Sequence, residues 1–558
     1  MKQRVRDLIA QGDRMFADRS GVMSLWQAIA EHFCPIRADF VAKPAPGHEF
    51  ASHLMTGRPV LAHRDLGNAL SSMLRPRGVR WFHARTMDEA LNASSEAKAY
   101  LDHIADVMWR AMYDTRAGFV RATKQGDLDY VAFGQTVITI EPNRILDGLL
   151  VRNWHLRDIA FAENEELKVD TIHHKWMREV RALAKMFPDK VAANVKTIAE
   201  KEPFKKVNCR QIVIPEDEYD QSLEKKGRHG RMPFCSILID VDHETILEEV
   251  PQPRLWYVIP RWQTVSGSPY AYSPAAVAAL PDARMLQAMT LTLLEAGQKR
   301  VDPPLKATKD AVIGSVNQYA GAITWVDSEY DERLGPAIEP LIRDASDLRW
   351  GELREDKIER MIAEAFYLNV INLPEAARGE KMTATETAER VKEYIRRALP
   401  LFEPIEVEYN AGLCELVFET ANALGMFGAF DDMPQALRRQ NIVWQFDSPL
   451  QSATERVKSE QFAQSAALLA QAARIDPLVA HDFDVDTAFR EALAGVAPAK
   501  WIRPDKVAAA SKQQAQKAQQ VAAAAQAVAT GADVATRVGT AVQTAGEAAQ
   551  VVNEARAG

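Results

Sequence analysis

The chain has 558 residues, of which 47% are apolar and 26% charged, and its formal net charge is −8. This composition is typical of a globular protein with a sizeable core and excludes a chain that is disordered throughout. The acidic excess argues against a tight, sequence-independent nucleic-acid binder, because such a protein needs a cationic surface. The four cysteines (Cys34, Cys209, Cys235 and Cys414) are widely spaced. This spacing excludes a C-x-x-C motif and favours a reducing compartment.

Helical patterns dominate the first 130 residues. Apolar residues recur three and four apart through 1–35, and residues 60–75 and 91–130 also have helical character. A strand is predicted at 79–84. The N-terminal region is therefore expected to be mainly helical.

A mixed α+β region follows at about 130–265. Runs of β-branched and apolar residues predict short strands, at 134–140, 149–154, 158–162, 211–215, 234–241, 245–249 and 256–262. Residues 173–187 are predicted to be helical. The mixed-sign run 200–206 (EKEPFKK) is typical of a solvated loop.

Two long helices are predicted on either side of a stretch of short strands. The first covers 274–300, and Pro281 inside it should start the helix afresh or kink it. The sequence Asp302-Pro303-Pro304 ends it, since a residue before proline avoids the α region. Strand signals occur within 305–345, notably at 322–326, and the second helix covers 348–368. Residues 369–382 form a loop with no apolar period, and further helices are expected near 383–424, 452–473 and 486–494.

The last 54 residues, 505–558, contain 19 Ala and 8 Gln but no aromatic residue, Leu, Ile or Met. One interpretation is a disordered, low-complexity tail. The other is a helix, because Val and Ala recur at heptad positions along it. So small an apolar seam cannot stabilise a lone helix in water but suits close packing of identical helices.

Motifs for catalysis and cofactor binding are absent. The sequence has neither Gly-rich nucleotide-binding motif, no H-E-x-x-H and no G-x-S-x-G. His173 and His174 with Asp170 come nearest to a metal cluster, but adjacent side chains point in different directions. We therefore predict no catalytic residue, no metal site and no cofactor.

Four stretches, taken in order, carry a resemblance to a known family. They are 127–142 (DLDYVAFGQTVITIEP); 260–274 (PRWQTVSGSPYAYSP), followed by 279–282 (ALPD) and 302–305 (DPPL); 382–386 (MTATE), followed by Arg390; and 447–450 (DSPL) with the Ala/Gln-rich end. In this order they resemble the head-to-tail connector, or portal, proteins of short-tailed double-stranded DNA bacteriophages. The chain departs from that family at 267–272 (GSPYAY), where a Tyr-Gly-Arg run is more usual.

The resemblance implies an α+β, mainly helical portal fold that assembles into a ring around a central channel. Its parts would be a wing at 1–265 (helical N-terminus plus a mixed α+β region), a first stem helix at 266–300, a clip at 301–347, a second stem helix at 348–368, a tunnel loop at 369–382, C-terminal wing helices at 383–504 and a helical crown or barrel at 505–558.

The same resemblance implies a structural role at one vertex of the capsid. The subunits would form a homododecamer, assembled in the host cytoplasm and retained in the virion. Double-stranded DNA would pass through its channel during packaging and ejection. Terminase would dock on the ring and tail adaptor proteins would later replace it, with major capsid and scaffolding proteins as further partners and no membrane involved.

Five cations are candidate DNA-channel residues by their position in this scheme. Arg378 and Lys381 lie in the predicted tunnel loop, and Lys299, Arg300 and Lys306 lie near the junction of stem and clip. Repeated around an axis, they would contact phosphates without reading sequence. For Lys299 and Arg300, a place at a helix C-terminus is an alternative explanation, since cations are favoured there.

Two alternatives belong to other classes. A virion enzyme that processes DNA or peptidoglycan would bind a metal through residues such as Asp127, Asp129 and Glu141, although residues two apart face the same way only on a strand. Another structural virion protein, such as a tail adaptor or internal core protein, would lack the helix–clip–helix–loop–helix order between 274 and 424.

Overall fold

The computed structural model describes residues 2–41, 51–219, 232–309, 311–316, 323–331, 333, 335–340, 348–371, 405–429, 433–438, 440–446, 461–471, 484–494, 511, 513–515 and 517. The chain divides into two compact units, Met1–Leu450 and Gln451–Gly558. Helices and strands both occur in the described residues, which confirms the predicted mixture. None of the helices described is both long and apolar enough to cross a bilayer.

The described part of the N-terminal region contains six α-helices. They are α1 (Lys2–Asp18), α2 (Ser20–Phe33), α3 (Arg58–Leu74), α4 (Glu89–Ala93), α5 (Ser95–Met112) and α6 (Phe119–Phe133). The apolar faces of α2, α3 and α6 meet in the largest core cluster, to which Trp26, Phe33, Leu66 and Phe133 belong. This agrees with the predicted helical N-terminus.

The strands of the described residues are short. They are β1 (Phe82–Thr86), β2 (Val137–Pro142), β3 (Leu149–Trp154), β4 (Ile159–Glu163), β5 (Val169–Glu179), β6 (Lys206–Pro215), β7 (Phe234–Asp240), β8 (Thr245–Gln252), β9 (Tyr257–Val258), β10 (Gln263–Val265), β11 (Ser268–Tyr272), β12 (Leu305–Ala307), β13 (Val312–Ile313), β14 (Trp325–Val326), β15 (Ile338–Pro340) and β16 (Ile442–Phe446). Strands β2, β3, β4, β6, β7 and β8 confirm the strands predicted between 134 and 249.

The largest sheet is an antiparallel meander in the order β4-β5-β6-β7-β8. Helix α1 covers one face, where Val5 and Leu8 pack in a cluster with Ile212 and Ile237. The other face is covered by α7 (Val180–Met186) and α8 (Ala193–Lys201), whose apolar residues pack with Val207 and Leu247. The sheet is therefore the middle of three layers.

The helix predicted for 173–187 is partly wrong. Residues up to Glu179 belong to β5, and only Val180 onward is helical. All four residues from Thr171 to His174 are buried. Because both faces of this sheet are covered, β5 lacks the alternation of apolar and polar residues that marks a half-exposed strand.

Smaller sheets connect distant parts of the first unit. Strands β3, β2 and β9 form one antiparallel sheet, and β10 and β11 form a hairpin. Strands β1 and β16 pair antiparallel, with Phe82 opposite Phe446. Strand β1 of the N-terminal region is thus hydrogen-bonded to a strand near the end of the first unit.

Two long helices flank short strands, as predicted, and the described residues between them contain four. Helix α10 (Pro274–Val301) continues through Pro281 without a fresh start, and α11 (Leu348–Ala365) follows the strands. Strand β12 pairs with β15, and β13 pairs with β14 in the chain between them. The predicted strand at 322–326 is represented by β14.

The remaining helical segments of the first unit are shorter. They are α9 (Glu216–Tyr219), α12 (Leu368–Ile371), a π-helix (Ile405–Asn410) continuous with α13 (Ala411–Ala423), and the 3-10 turns Pro35–Arg37, Leu156–Asp158 and Gln435–Leu437. In the second unit, residues 461–471 and Val485–Ala494 are helical, in agreement with the prediction. Residues 511, 513–515 and 517 are helical too, but the rest of the predicted C-terminal seam lies outside the described residues.

Candidate DNA-channel site

Helix α10 begins at a buried junction. The Ser273 hydroxyl accepts a hydrogen bond from the amide of Ala276 (3.0 Å) and donates one to the carbonyl of Val131 (2.6 Å). Ser273 is therefore the N-cap of α10 and also ties the helix to α6. Pro274 follows at the first helical position, where its missing N–H costs no hydrogen bond. The long helix is thus fixed at its start, whereas its last residues are exposed.

Lys299 and Arg300 lie in the last turn of α10 and are both exposed. Thr290 donates a hydrogen bond to Glu355, and Leu293 packs against Gly351, so α10 and α11 run antiparallel. The helix C-terminus favours cations, which is the alternative explanation given above. The pair is nevertheless available to solvent at the end of the long helix.

Lys306 has a different environment. It lies in β12, directly opposite Glu339 of β15. Its Nζ atom is 3.5 Å from the Glu339 carboxylate, although the lysine side chain is 65% exposed. Of the three candidates near the stem–clip junction, Lys306 is thus the one whose charge is partly matched.

Arg378 and Lys381 lie outside the described residues. The predicted tunnel loop 369–382 overlaps the described chain only at its first residues, which belong to α12 (Leu368–Ile371). Its role stays a prediction.

The structure contradicts the metal site that the enzyme hypothesis would need. Asp127 and Asp129 both lie within α6, and each pairs with its own arginine, Arg75 and Arg37 respectively. Glu141 pairs with Arg152 at 2.5 Å. No group of three or more His, Cys, Asp or Glu side chains in the described residues is arranged to hold a metal ion.

The buried pair of Arg75 and Asp127 was not predicted. Arg75 also donates to the Asn410 side chain at 2.7 Å and lies over the Tyr409 ring. Burial raises the pKa of the Asp127 carboxyl, and the Arg75 guanidinium opposes that rise. Asn410 ends the π-helix, so this cluster holds the start of α13 against α3 and α6. The partners are up to 335 positions apart, and no local sequence pattern could have revealed them.

His173 and His174 point to opposite faces of β5, as expected for neighbours on a strand. His173 lies against Gly12 of α1 and beside Arg210. His174 contacts Trp154 and hydrogen-bonds Tyr257 through Nδ1 at 3.2 Å. Burial lowers the pKa of both imidazoles, to about 3 and about 4 respectively. They are packing residues and do not share a ligand.

A cleft of about 540 Å³ lies between the β4–β5 turn, β9 and the π-helix with α13. Arg254 at its edge bridges Glu415 and Glu419, and Arg261 pairs with Glu163. Its arginines are thus already engaged by carboxylates of the chain itself, and the arrangement is that of a structural ion-pair network.

Comparison with known proteins points to a single family. The model of the family described as bacteriophage head to tail connecting protein matches residues 6–500. The chain is 24% identical over 530 residues to a probable portal protein of Bordetella phage BPP-1, covering 91% of each chain. It is 22% identical over 475 residues to the portal protein of Salmonella phage epsilon15, covering 82% of this chain and 81% of the relative.

Solved structures give weaker likenesses. A chain in the virion of a native gene transfer agent particle is 12% identical with a TM-score of 0.35, covering 76% of this chain and 91% of that one. A chain in the neck of an empty gene transfer agent particle is 13% identical with a TM-score of 0.33, covering 79% and 95%. Because the family model spans nearly the whole sequence, the chain belongs to the bacteriophage head to tail connecting protein family.

Proposed function

We propose that this chain is the subunit of a portal, the ring at one capsid vertex through which double-stranded DNA is packaged and ejected. The role is structural, and the ring is retained in the virion. The observation that carries the proposal is the family match over residues 6–500, together with two relatives named as portal proteins.

The exposed apolar residues of the long helices support assembly. Leu291 and Leu294 of α10 and Leu353 and Met361 of α11 are each more than 40% exposed, although the helices pack on each other elsewhere. Between these helices, Trp325 of β14 is 69% exposed. Exposed large apolar side chains on both helices are consistent with a surface that neighbouring subunits cover. Head-to-tail contacts of one kind close into a ring when the rotation allows it.

The charge of the chain suits a channel that DNA slides through. Twelve copies at −8 each would carry a formal charge of −96. Each phosphate that a cation neutralises adds salt-sensitive affinity, so a sliding channel is expected to have few such contacts. Lys299 and Arg300, with Arg378 and Lys381 of the loop, are the proposed sparse contacts, and Lys306 is the weakest candidate because Glu339 faces it.

The remaining parts follow the division given above. The helices α10 and α11 would form the stem, the strands β12–β15 the clip, and residues 505–558 the crown. Terminase and then tail adaptors would dock on the ring, and capsid and scaffolding proteins would surround it.

Electron microscopy of the purified full chain tests this proposal. We expect rings with a central hole and close to twelve subunits, together with sedimentation as one large species. A monomer that persists across micromolar concentrations would contradict it, and so would particles with no central hole.

A further inference from the structure

A group of exposed cations surrounds α7 and α8, on the face of the large sheet opposite α1. We call residues 180–205 the basic lobe. Its cations are Arg181, Lys185, Lys190, Lys196, Lys201 and Lys205, and all six are exposed. The same segment has only three carboxylates, in a chain whose net charge is −8. The run 200–206, predicted to be a solvated loop, is exposed except at the half-buried Pro203, and residues 202–205 form the turn between α8 and β6.

Few of these charges are matched within the chain. Among the described residues, only Lys205 of the six has a carboxylate within ion-pair distance, Glu202 at 3.5 Å. The Arg181 guanidinium lies over the ring of Phe204, which is itself exposed. The other four cations (Lys185, Lys190, Lys196 and Lys201) make no such contact in the described residues and are presented to solvent.

Helix stability explains only part of this pattern. Lys185 and Lys201 lie in the last turns of α7 and α8, where a cation is favourable. Arg181 lies in the first turn of α7, where a cation is unfavourable. It also precedes Lys185 by four residues, a spacing at which like charges destabilise a helix. Lys190 lies between the helices and Lys196 in the middle of α8.

The basic lobe also packs tightly against the sheet. Val180, Leu183 and Val195 are fully buried against the sheet, in one cluster with Val207 and Leu247. The amide of Val180 donates to the carbonyl of Lys205 at 2.8 Å, which ties the start of the lobe to its end. A rigid base that carries dispersed, flexible lysines suits a partner with closely spaced negative charges and no required geometry.

We propose that the basic lobe is a second DNA-contact surface, which binds the phosphate backbone of duplex DNA from outside the channel. Most of its cations are lysines, which act as point charges toward phosphate, so the contact carries no sequence information. The acidic remainder of the chain keeps this contact weak and salt-sensitive. This inference rests on the proposed ring.

Closed circular DNA separates this surface from the channel, because a covalently closed circle cannot thread a closed ring. Binding of a relaxed plasmid to purified rings is measured by filter retention from 50 to 200 mM salt. The lobe variant combines Lys185→Gln, Lys190→Gln, Lys196→Gln and Lys201→Gln. The matched control removes four exposed lysines elsewhere: Lys98→Gln, Lys124→Gln, Lys309→Gln and Lys357→Gln.

We expect wild-type rings and the control to retain the plasmid at 50 mM salt. The lobe variant should bind at least tenfold more weakly, and its slope of log affinity against log salt should be smaller by about 3 to 4, since each phosphate contact contributes about 0.9. Equal binding by the lobe variant, or no binding by wild type, would overturn the inference. If polyglutamate displaces the plasmid as strongly as free duplex DNA does, the lobe binds an acidic protein and the inference is also overturned. Microscopy of the same samples reports ring formation separately, so failure of the portal proposal is visible by itself.

Discussion

Gly134 lies in direct contact with the backbone of Tyr272: a Cβ atom built on Gly134 would be 2.2 Å from the Tyr272 carbonyl carbon. Gly134 ends α6 with φ of +75°, and its carbonyl accepts a hydrogen bond from the amide of Trp262 at 2.7 Å. The turn after α6 therefore fits against the chain that leads into α10, and only glycine provides both the backbone conformation and the space.

Replacing Gly134 by alanine should destabilise the first unit severely. The left-handed conformation costs about 1–2 kcal/mol for a residue with a Cβ, and the contact with backbone atoms cannot be relieved by a side-chain rotation. We expect a loss of about 3 kcal/mol or more in the free energy of unfolding, measured by urea denaturation.

Gly425→Ala is the matched control for that substitution. Gly425 also follows a helix with positive φ (+68°), but nothing lies within 4 Å of its Cβ position. It should lose only about 1 kcal/mol. Equal losses for the two variants would show that the close approach to Tyr272 is unimportant.

Replacing one partner of the buried pair Arg75–Asp127 should destabilise the protein more than replacing both. Arg75→Met leaves the buried Asp127 carboxyl without its partner, and we expect a loss of about 3–5 kcal/mol in the free energy of unfolding. The double variant Arg75→Met with Asp127→Leu should recover much of that loss. Arg116→Ala, which breaks the exposed pairs with Asp114 and Asp147, should change the free energy of unfolding far less, because solvent screens exposed ion pairs. A double variant no more stable than Arg75→Met would contradict this account.

The stability of the α1–sheet contact should fall on acidification. His173 is fully buried beside Arg210 and Lys175, with Asp13 opposing them, and burial lowers its pKa to about 3, compared with about 6.5 when unfolded. Between these values the unfolded chain binds a proton that the folded chain does not, so stability is present above about pH 6.5 and is lost toward pH 3.

His173→Leu should remove part of this acid sensitivity. Between pH 6.5 and 5 we expect the wild type to lose about 2 kcal/mol more than the variant, because one unit of pKa difference is worth about 1.4 kcal/mol. Urea denaturation at both pH values measures the difference. His103→Leu, at an exposed position, should leave the pH dependence as in the wild type. If His173→Leu also keeps the wild-type pH dependence, the hypothesis is wrong.

Neutralising Lys299 and Arg300 together should alter DNA packaging or retention without altering ring assembly. Both are exposed at the end of α10, whereas Lys306 faces Glu339. We therefore expect a larger effect from Lys299→Gln with Arg300→Gln than from Lys306→Gln, measured as DNA content per particle. Arg378→Gln with Lys381→Gln should behave as the first pair does. Particles with normal DNA content in both double variants would exclude these cations as channel contacts.

Deletion of 505–558 should leave the ring intact but change packaging or ejection. The long helices with exposed leucines, on which the proposed assembly depends, lie upstream of this segment. Sedimentation and microscopy of the truncated chain measure assembly directly. If it no longer oligomerises, the C-terminal segment drives assembly and the proposed division of roles is wrong.

Local patterns in the sequence were sufficient for many elements. The strand predicted at 149–154 matches β3 residue for residue, and α10 was placed to within one residue of its C-terminal end. The glycine at the centre of 127–142 marked the family resemblance, and the contact of Gly134 with Tyr272 explains why a glycine is needed there. For β3 and α10 the information lies in neighbouring residues.

Other features depend on partners that are remote in sequence. Strand β5 was partly mistaken for a helix because its burial on both faces comes from α1 and α7, which no pattern within β5 records. The partner of Lys306 is 33 positions away, and the Asn410 that Arg75 contacts is 335 away. Which cations are free and which are paired could therefore not be predicted from the sequence.

The pairing of β1 with β16 constrains how this protein is made. Phe82 pairs with Phe446, so about 360 further residues must leave the ribosome before the two strands can pair. At 5–20 residues per second, that delay is roughly 20–70 s. Throughout it, the β1 backbone lacks its partner, and an unpaired strand can template aggregation. Nascent chains should consequently depend on chaperones during synthesis, and a truncated translation product that ends before β16 should be rapidly degraded.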